Sequence, residues 1–221
     1  MTMYPRTLSV ARGAKGFMPD DEGAALHEAG LAGTSVGPLL EIGSYCGKSA
    51  VYLGTAARAG DTVLFTVDHH HGSEENQSGW EHHDPDVVDP RTGRMDTLPF
   101  LRRTIEDAGL EGTVIAIVGD SPTVAQHWQT PLGLLFIDGG HAEAVAMADY
   151  VAWSAFVAPG GLLAIHDVFE SPADGGQAPF HVWQRATADG FEPVSTTGSL
   201  RVLRRSPIRV PTSPEVLVPR P

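Results

Sequence analysis

Two short stretches carry side chains whose types and spacing could do chemistry together. They are Phe136-Ile137-Asp138-Gly139-Gly140-His141 and Ala164-Ile165-His166-Asp167, each ending an apolar run in an acid and a histidine. Apolar runs of this kind read as central strands of a parallel sheet, and neighbouring strands lie only ~5 Å apart. Asp138, His166 and Asp167 can therefore converge on one divalent cation. A hard cation such as Mg²⁺ prefers oxygen, which favours Asp138 and Asp167. His166 has two readings: a nitrogen ligand, which would widen the choice toward Mn²⁺ or a later metal, or a core histidine satisfied by a backbone carbonyl. His141 follows Asp138 by three residues. Imidazole titrates near neutrality, so His141 is a candidate general base beside the cation; the alternative is that it caps or packs the next helix. Together a cation and a base would strip the proton from a hydroxyl nucleophile.

A second constellation is the glycine loop Glu41-Ile42-Gly43-Ser44-Tyr45-Cys46-Gly47-Lys48-Ser49. A glycine-rich turn between strand and helix lets a ligand approach the backbone. A dinucleotide fingerprint needs a second glycine where Tyr45 stands, and a P-loop needs four residues between its glycines where Gly43 and Gly47 leave three. Gly47-Lys48-Ser49 thus reads as a decoy, although Leu135-Phe136-Ile137-Asp138 could pass for its partner strand. S-adenosylmethionine carries no phosphate and fits each position. Acidic Glu41 suits its ammonium and sulfonium, Asp68 can accept both hydrogens of a ribose diol, and Gly119-Asp120-Ser121 can receive the adenine edge. Asp68 and Asp120 could instead be simple caps.

These residues must be held by alternating strands and helices, the pattern of a parallel sheet covered on both faces. The strands are expected at 38–42, 62–68, 113–118, 133–138 and 162–167. A terminal hairpin is expected at 194–196 and 200–204, joined by Gly198. Helices are expected over 22–29, capped by Asp20 and closed by Gly30, and over 49–58 and 97–108. Residues 69–94 are too long and polar for an ordinary connection and read as a lid or wall. The Pro-rich stretch 206–221 reads as a tail, mobile or laid along a second subunit of a homodimer. The chain divides into one domain, 1–205, and that tail.

The 221 residues, 42% of them hydrophobic, suit one domain with a proper core. A formal net charge of −12, with Lys15 and Lys48 as the lysines, argues against a nucleic-acid partner. The sequence lacks an apolar run long enough for a membrane span. Cys46 is the single cysteine, so no internal disulfide forms and a cytoplasmic location is the default expectation.

Ala14-Lys15-Gly16 together with Leu40 to Val51 resembles the metal-dependent, catechol-type O-methyltransferases, over about residues 14–204. The resemblance implies a Rossmann-like class I methyltransferase fold: a seven-stranded, mostly parallel sheet with an antiparallel terminal hairpin. It implies cofactor contacts from Gly43, Tyr45, Ser49, Asp68 and Ser121, alongside Glu41, Ser44, Gly47 and Asp120 from the loop and strand-end reading. This sequence departs from that family twice. Its general base is a lysine where His141 stands, and an Asp-Asn pair fills the positions of His166 and Asp167.

The stretch after Asp68, His69-His70-His71-Gly72-Ser73-Glu74-Glu75-Asn76-Gln77, is dense in histidine and carboxylate but matches no standard zinc spacing. Glu74, Asn76, Gln77 and Trp80 are residue types that bind sugars, polar forks for hydroxyls and an aromatic face for the ring. His181, in Gln177 to Trp183, could line the same acceptor site. A solvated loop is the plainer reading of all these polar residues. With the Asp138 and Asp167 stretches, residues 68–77 are similar to actinobacterial sugar O-methyltransferases, the group of mycobacterial methylmannose polysaccharide synthesis. That similarity implies Mg²⁺ and an acceptor 1-hydroxyl on a short 3-O-methylated mannoside. The rival acceptor is a phenolic or antibiotic hydroxyl.

Overall fold

A computed structural model of the chain describes residues 3–73, 76–77, 79–80 and 83–206. Its strands are β1 (Leu39–Ile42), β2 (Leu64–Asp68), β3 (Val88–Asp89), β4 (Arg94–Met95), β5 (Val114–Val118), β6 (Leu132–Ile137), β7 (Val157–Ile165), β8 (Phe191–Thr197) and β9 (Leu200–Arg205). Its helices are α1 (Pro5–Gly13), α2 (Asp20–Thr34), α3 (Lys48–Ala59), α4 (Leu98–Asp107), α5 (Ser121–Ala125), α6 (Glu143–Trp153) and α7 (Ala178–Ala188).

Seven strands form one sheet in the order β5-β2-β1-β6-β7-β9-β8. The first five are parallel, and β9 and β8 run antiparallel at one edge. This is the Rossmann-like methyltransferase sheet expected from the sequence, with the order reversing beside β1. Ligands in open α/β sheets bind outside the C-terminal strand ends at such a point.

Alternation along each strand feeds two cores. Leu39 of β1 joins Leu26, Val51, Leu53 and Leu101 on the face covered by α1 to α4. Leu40 and Ile42 join Tyr150, Trp153, Val182 and Ala186 on the face covered by α6 and α7. β6 is buried at every position, as a strand covered on both faces must be.

Two local expectations need correction. α2 runs through Gly30 to Thr34, because Gly30 lies against α3: a methyl there would meet Ala56 Cβ at 2.9 Å. Asp20 is the first helical residue and makes no cap; its carboxylate accepts from Arg12 Nε at 2.7 Å instead. The segment between β2 and α4 has structure of its own, a 3₁₀ turn (Pro85–Val87) and the antiparallel pair β3–β4, with Val88 opposite Met95. Helix α1 was not foreseen. The Pro-rich tail beyond Ser206 lies outside the described residues. No helix among those described is long and apolar enough to cross a membrane.

Candidate active site

The loop from β1 to α3 alternates into left-handed backbone at Gly43 (φ 86°), Tyr45 (φ 44°) and Gly47 (φ 93°). A side chain at Gly43 would collide with the backbone carbonyl of Asp138, so glycine lets the ends of β1 and β6 close together. Gly47 is the N-cap of α3. Tyr45 carries the cost of its φ while packing its ring on Phe17, centroids 5.9 Å apart. Cys46, beneath it, is buried with Val87 and Met95, and burial pushes its thiol up to about 12. The loop is thereby tied to the segment that follows β2. Lys15 adds a second tie, with Nζ 2.6 Å from Asp84 and 2.9 Å from Asp86.

Glu41 is fully buried. Its Oε1 accepts from Thr66 Oγ1 at 2.8 Å, and among the described residues its Oε2 has no hydrogen-bond partner. Burial raises its pKa to about 8 against the pull of the Thr66 and Ser49 hydroxyls, so it is mainly protonated at neutral pH. Asp68, at the end of β2, grips the loop: Oδ2 accepts from the amides of Ser44 (3.1 Å) and Tyr45 (3.0 Å), and Oδ1 from that of His70 (2.6 Å). His70 is itself buried against Thr97, Nδ1 to Oγ1 2.8 Å, and burial holds its pKa down. Each carboxylate oxygen has two lone pairs; the two loop amides take those of Oδ2, and Oδ1 keeps one beside His70 N, so Asp68 can hold the loop and still accept one hydroxyl.

Asp120 caps α5, accepting from Thr123 N at 3.0 Å and Thr123 Oγ1 at 2.6 Å. Ser121 accepts from Trp153 Nε1 at 2.8 Å. Behind it, Asp149 is buried and burial raises its pKa to about 6.

Beyond β6 and β7 the acids and histidines converge. One ligand atom from each of Asp138, His141 and Asp167 lies within 4.8 Å of the others. His141 Nε2 stands 3.1 Å from Asp167 Oδ2. Asp167 sits in left-handed backbone at φ 55°, which costs a non-glycine residue about 1–3 kcal/mol, and aspartate tolerates it better than most. Burial would raise its pKa, but the facing His141 and His166 hold it well below the usual carboxylate range.

His166 is not one of these three residues. It is 4% exposed; Nδ1 points at Asp138 Oδ1 (3.0 Å) and Nε2 at Glu22 Oε2 (2.5 Å). Burial alone would strip its proton. The charge of Asp138 and hydrogen bonds to Asp138, Asp167 and Glu22 outweigh that and push its pKa up to about 12. Each of its ring nitrogens thus faces a carboxylate. The carboxylates also replace the backbone carbonyl expected to satisfy it. Glu22 was missed in the sequence, and its signal was an acid on the buried face of α2, four residues before Leu26 and eight before Gly30.

The acceptor-side residues are placed less tightly. Asn76 Oδ1 accepts from Ser73 N (3.0 Å) and Ser73 Oγ (2.8 Å). Gln77 Nε2 donates to the carbonyls of His71 (3.0 Å) and Ser73 (3.0 Å). Trp80 is 55% exposed. His181 Nδ1 meets Glu143 Oε2 at 2.9 Å, joining α7 to α6. Glu74 lies outside the described residues. The segment does reach the site, because a methyl on Gly140 would meet Ser73 Cβ at 3.2 Å.

Residues 40–168 match a family described as Methyltransferase domain, more than half of the 221 residues. The chain belongs to that family. It is a methyltransferase, which sets aside the nucleotide-hydrolysing reading of Gly47-Lys48-Ser49. Among solved structures it is similar to the O-methyltransferase TomG from Streptomyces achromogenes, involved in tomaymycin synthesis and solved with SAM. The TM-score is 0.62 at 17% identity, over 92% of this chain and 91% of that one. An O-methyltransferase from Bacillus cereus in complex with SAH gives 0.59 at 18% identity, covering 90% and 89%. The SAH-bound Podospora anserina methyltransferase PaMTH1 gives 0.63 at 13%, covering 90% and 86%. At such identities the likeness establishes the shared fold.

Proposed function

We propose that the chain is an S-adenosylmethionine-dependent O-methyltransferase that uses a divalent cation, Mg²⁺ as the first candidate, and His141 as general base. The observation that carries this reading is the Asp138–His141–Asp167 group, set one strand over from the glycine loop. The residues fit both groups. Among the described residues Glu41 offers a buried oxygen without a hydrogen-bond partner beside a loop of left-handed backbone; being mainly protonated, it would give a ligand a hydrogen bond and not the negative charge expected from the sequence. The two carboxylates, Asp138 and Asp167, suit Mg²⁺ or Mn²⁺, with the His141 imidazole beside them left for the proton.

When bound, the cofactor supplies an electrophilic methyl on a sulfonium, and the cation supplies a charge that acidifies the acceptor hydroxyl. The chain's own residues do the rest. Asp68 holds the loop and would offer its remaining lone pair to a ribose hydroxyl, with Gly43, Ser44, Tyr45, Gly47 and Ser49 placed to line the amino-acid end. Asp120 and Ser121 border the adenine end. Asp138 and Asp167 hold the cation by oxygen. Asp167 also orients His141, which takes the hydroxyl proton as the methyl transfers.

The acceptor we infer is a sugar hydroxyl, specifically the 1-hydroxyl of a short 3-O-methylated mannoside. Among the described residues Asn76 makes no bond through its amide nitrogen and Gln77 none through its amide oxygen, which suits them to hydroxyls; Trp80 gives an exposed ring face, and His181 lies on the α7 side. A phenolic or antibiotic acceptor is the second reading, favoured by the stacked rings of Phe180 and Trp183, 5.6 Å apart on α7. Methyl-labelled S-adenosylmethionine offered with methylated mannosides, catechols and other phenols separates the two. Label on the mannoside 1-oxygen supports the first; label on phenols alone replaces it with the second.

A further inference from the structure

We propose that Glu22 is a positioning residue for the cation site, acting through His166 on Asp138. The inference rests on the metal-dependent reading above. Its basis is a continuous buried chain of polar contacts. Glu22 Oε2 meets His166 Nε2 at 2.5 Å, and His166 Nδ1 meets Asp138 Oδ1 at 3.0 Å and Asp167 Oδ2 at 3.4 Å. Both Glu22 and His166 are about 4% exposed, so water does not compete for these bonds.

Glu22 is fixed in turn from the opposite side. Its Oε1 accepts from Ser199 N at 2.6 Å, and Ser199 Oγ lies 3.3 Å from Oε2. A methyl on Gly198 would collide with the Glu22 carboxylate, so the β8–β9 turn closes directly over it. The same Ser199 hydroxyl reaches Asp167 Oδ1 at 3.4 Å, and its carbonyl accepts from Val168 N at 3.0 Å. One carboxylate on α2 therefore braces three other elements: the end of β6, the end of β7 and the terminal turn.

The physical consequence is orientation. A carboxylate at a strand end rotates about χ2 at little cost. His166 pins one oxygen of Asp138, leaving the carboxylate in a single attitude toward His141 and Asp167. His166 could itself turn, but Glu22 holds its far nitrogen. Partners that orient metal-ligating side chains contribute about 10–100-fold to metal affinity. A purely structural Glu22 would contribute to folding and leave that affinity alone.

The test is calorimetric titration of Mn²⁺ into chelator-treated, full-length protein, without acceptor, alongside S-adenosylhomocysteine affinity and melting temperature. Glu22→Gln keeps the shape and the Ser199 contact but loses the charge. Its Mn²⁺ affinity is expected to fall about 10–100-fold while S-adenosylhomocysteine affinity stays within about twofold. His166→Gln cuts the same chain at its middle and should weaken Mn²⁺ equally. The double variant should be no weaker than either single one, since the two act in series. A folded Glu22→Gln with wild-type Mn²⁺ affinity overturns the inference, as does additive loss in the double variant. Should Glu22→Gln not fold, His166→Gln alone decides by the same reading. Failure of both to fold makes Glu22 a fold-holding residue and overturns it too. A wild-type protein that binds no Mn²⁺ overturns the metal-dependent reading itself, a result distinguishable from an equal affinity in wild type and variant.

Discussion

The ends of β6 and β7 and the segment between β2 and α4 are both rich in acids, amides and histidines, yet they use them in opposite ways. At the strand ends the polar side chains bond one another across long stretches of sequence: Glu22 to His166, His166 to Asp138, His141 to Asp167. In the segment they bond mainly its own backbone and near neighbours, with Lys15 on Asp84 and Asp86 as the long-range exception. Asn76 serves Ser73, Gln77 serves residues 71 and 73, Asp84 accepts from Asp86 N at 2.9 Å, and His83 Nδ1 sits 3.1 Å from Asn76 O. The difference teaches where precision resides. Groups held from several rigid elements can be placed for catalysis, whereas groups spent on local turns shape a wall and retain only their unused ends for a ligand.

The largest effect that would sharpen this contrast belongs to His141. His141→Ala should lower turnover about 10²–10⁴-fold, the usual contribution of a general base, with S-adenosylhomocysteine and Mn²⁺ affinities near wild type. A parallel collapse of Mn²⁺ affinity would make His141 a ligand instead, and near-normal turnover would remove it from the mechanism. Next is Asp68. Asp68→Ala removes the loop's grip and the ribose acceptor together, and calorimetry should show S-adenosylhomocysteine weakened by roughly 1.5–3 kcal/mol. Unchanged affinity would confine Asp68 to holding the loop.

A pH prediction follows from Glu41, whose carboxyl burial lifts from 4.5 to about 8. Between those values the folded chain keeps a proton that the unfolded chain releases. Stability therefore falls as pH rises through that window, by up to about 1.4 kcal/mol per pH unit, and levels off above it. Glu41→Gln carries no such proton and should lose less between pH 5 and pH 8 in denaturant melts. Equal losses in both proteins would show Glu41 ionised when folded. The smallest effect is in the wall: Gln77→Ala should raise the acceptor KM about fivefold, on the order of 1 kcal/mol, with kcat little changed. A large kcat loss there would break the contrast between the two regions.

The sequence disclosed the sheet well because its strands are continuous apolar runs ending in acids, and the candidate site lies where those runs stop. Asp68, Asp138 and Asp167 were legible for that reason. Glu22 was not, since its partner His166 is 144 residues away and no local pattern reports a contact at that range. His166 was ambiguous for the same reason: its role depends on which carboxylates surround it, and these come from α2, β6 and β7. Asn76 and Gln77 were readable as polar forks, but the sequence could not show that one end of each fork is turned into the loop. Gly30 misled because a glycine that ends a helix and one that admits a neighbouring helix look alike until α3 is packed against it.

Turnover with and without a divalent cation tests the central claim most directly. Wild-type protein stripped by exhaustive chelation, given methyl-labelled S-adenosylmethionine and the mannoside acceptor, should transfer label at background rate. Mg²⁺ should restore transfer to wild type and restore it only weakly to Asp167→Asn. Full transfer from the stripped protein would contradict a cation held by Asp138 and Asp167 and leave those carboxylates to serve the histidines alone.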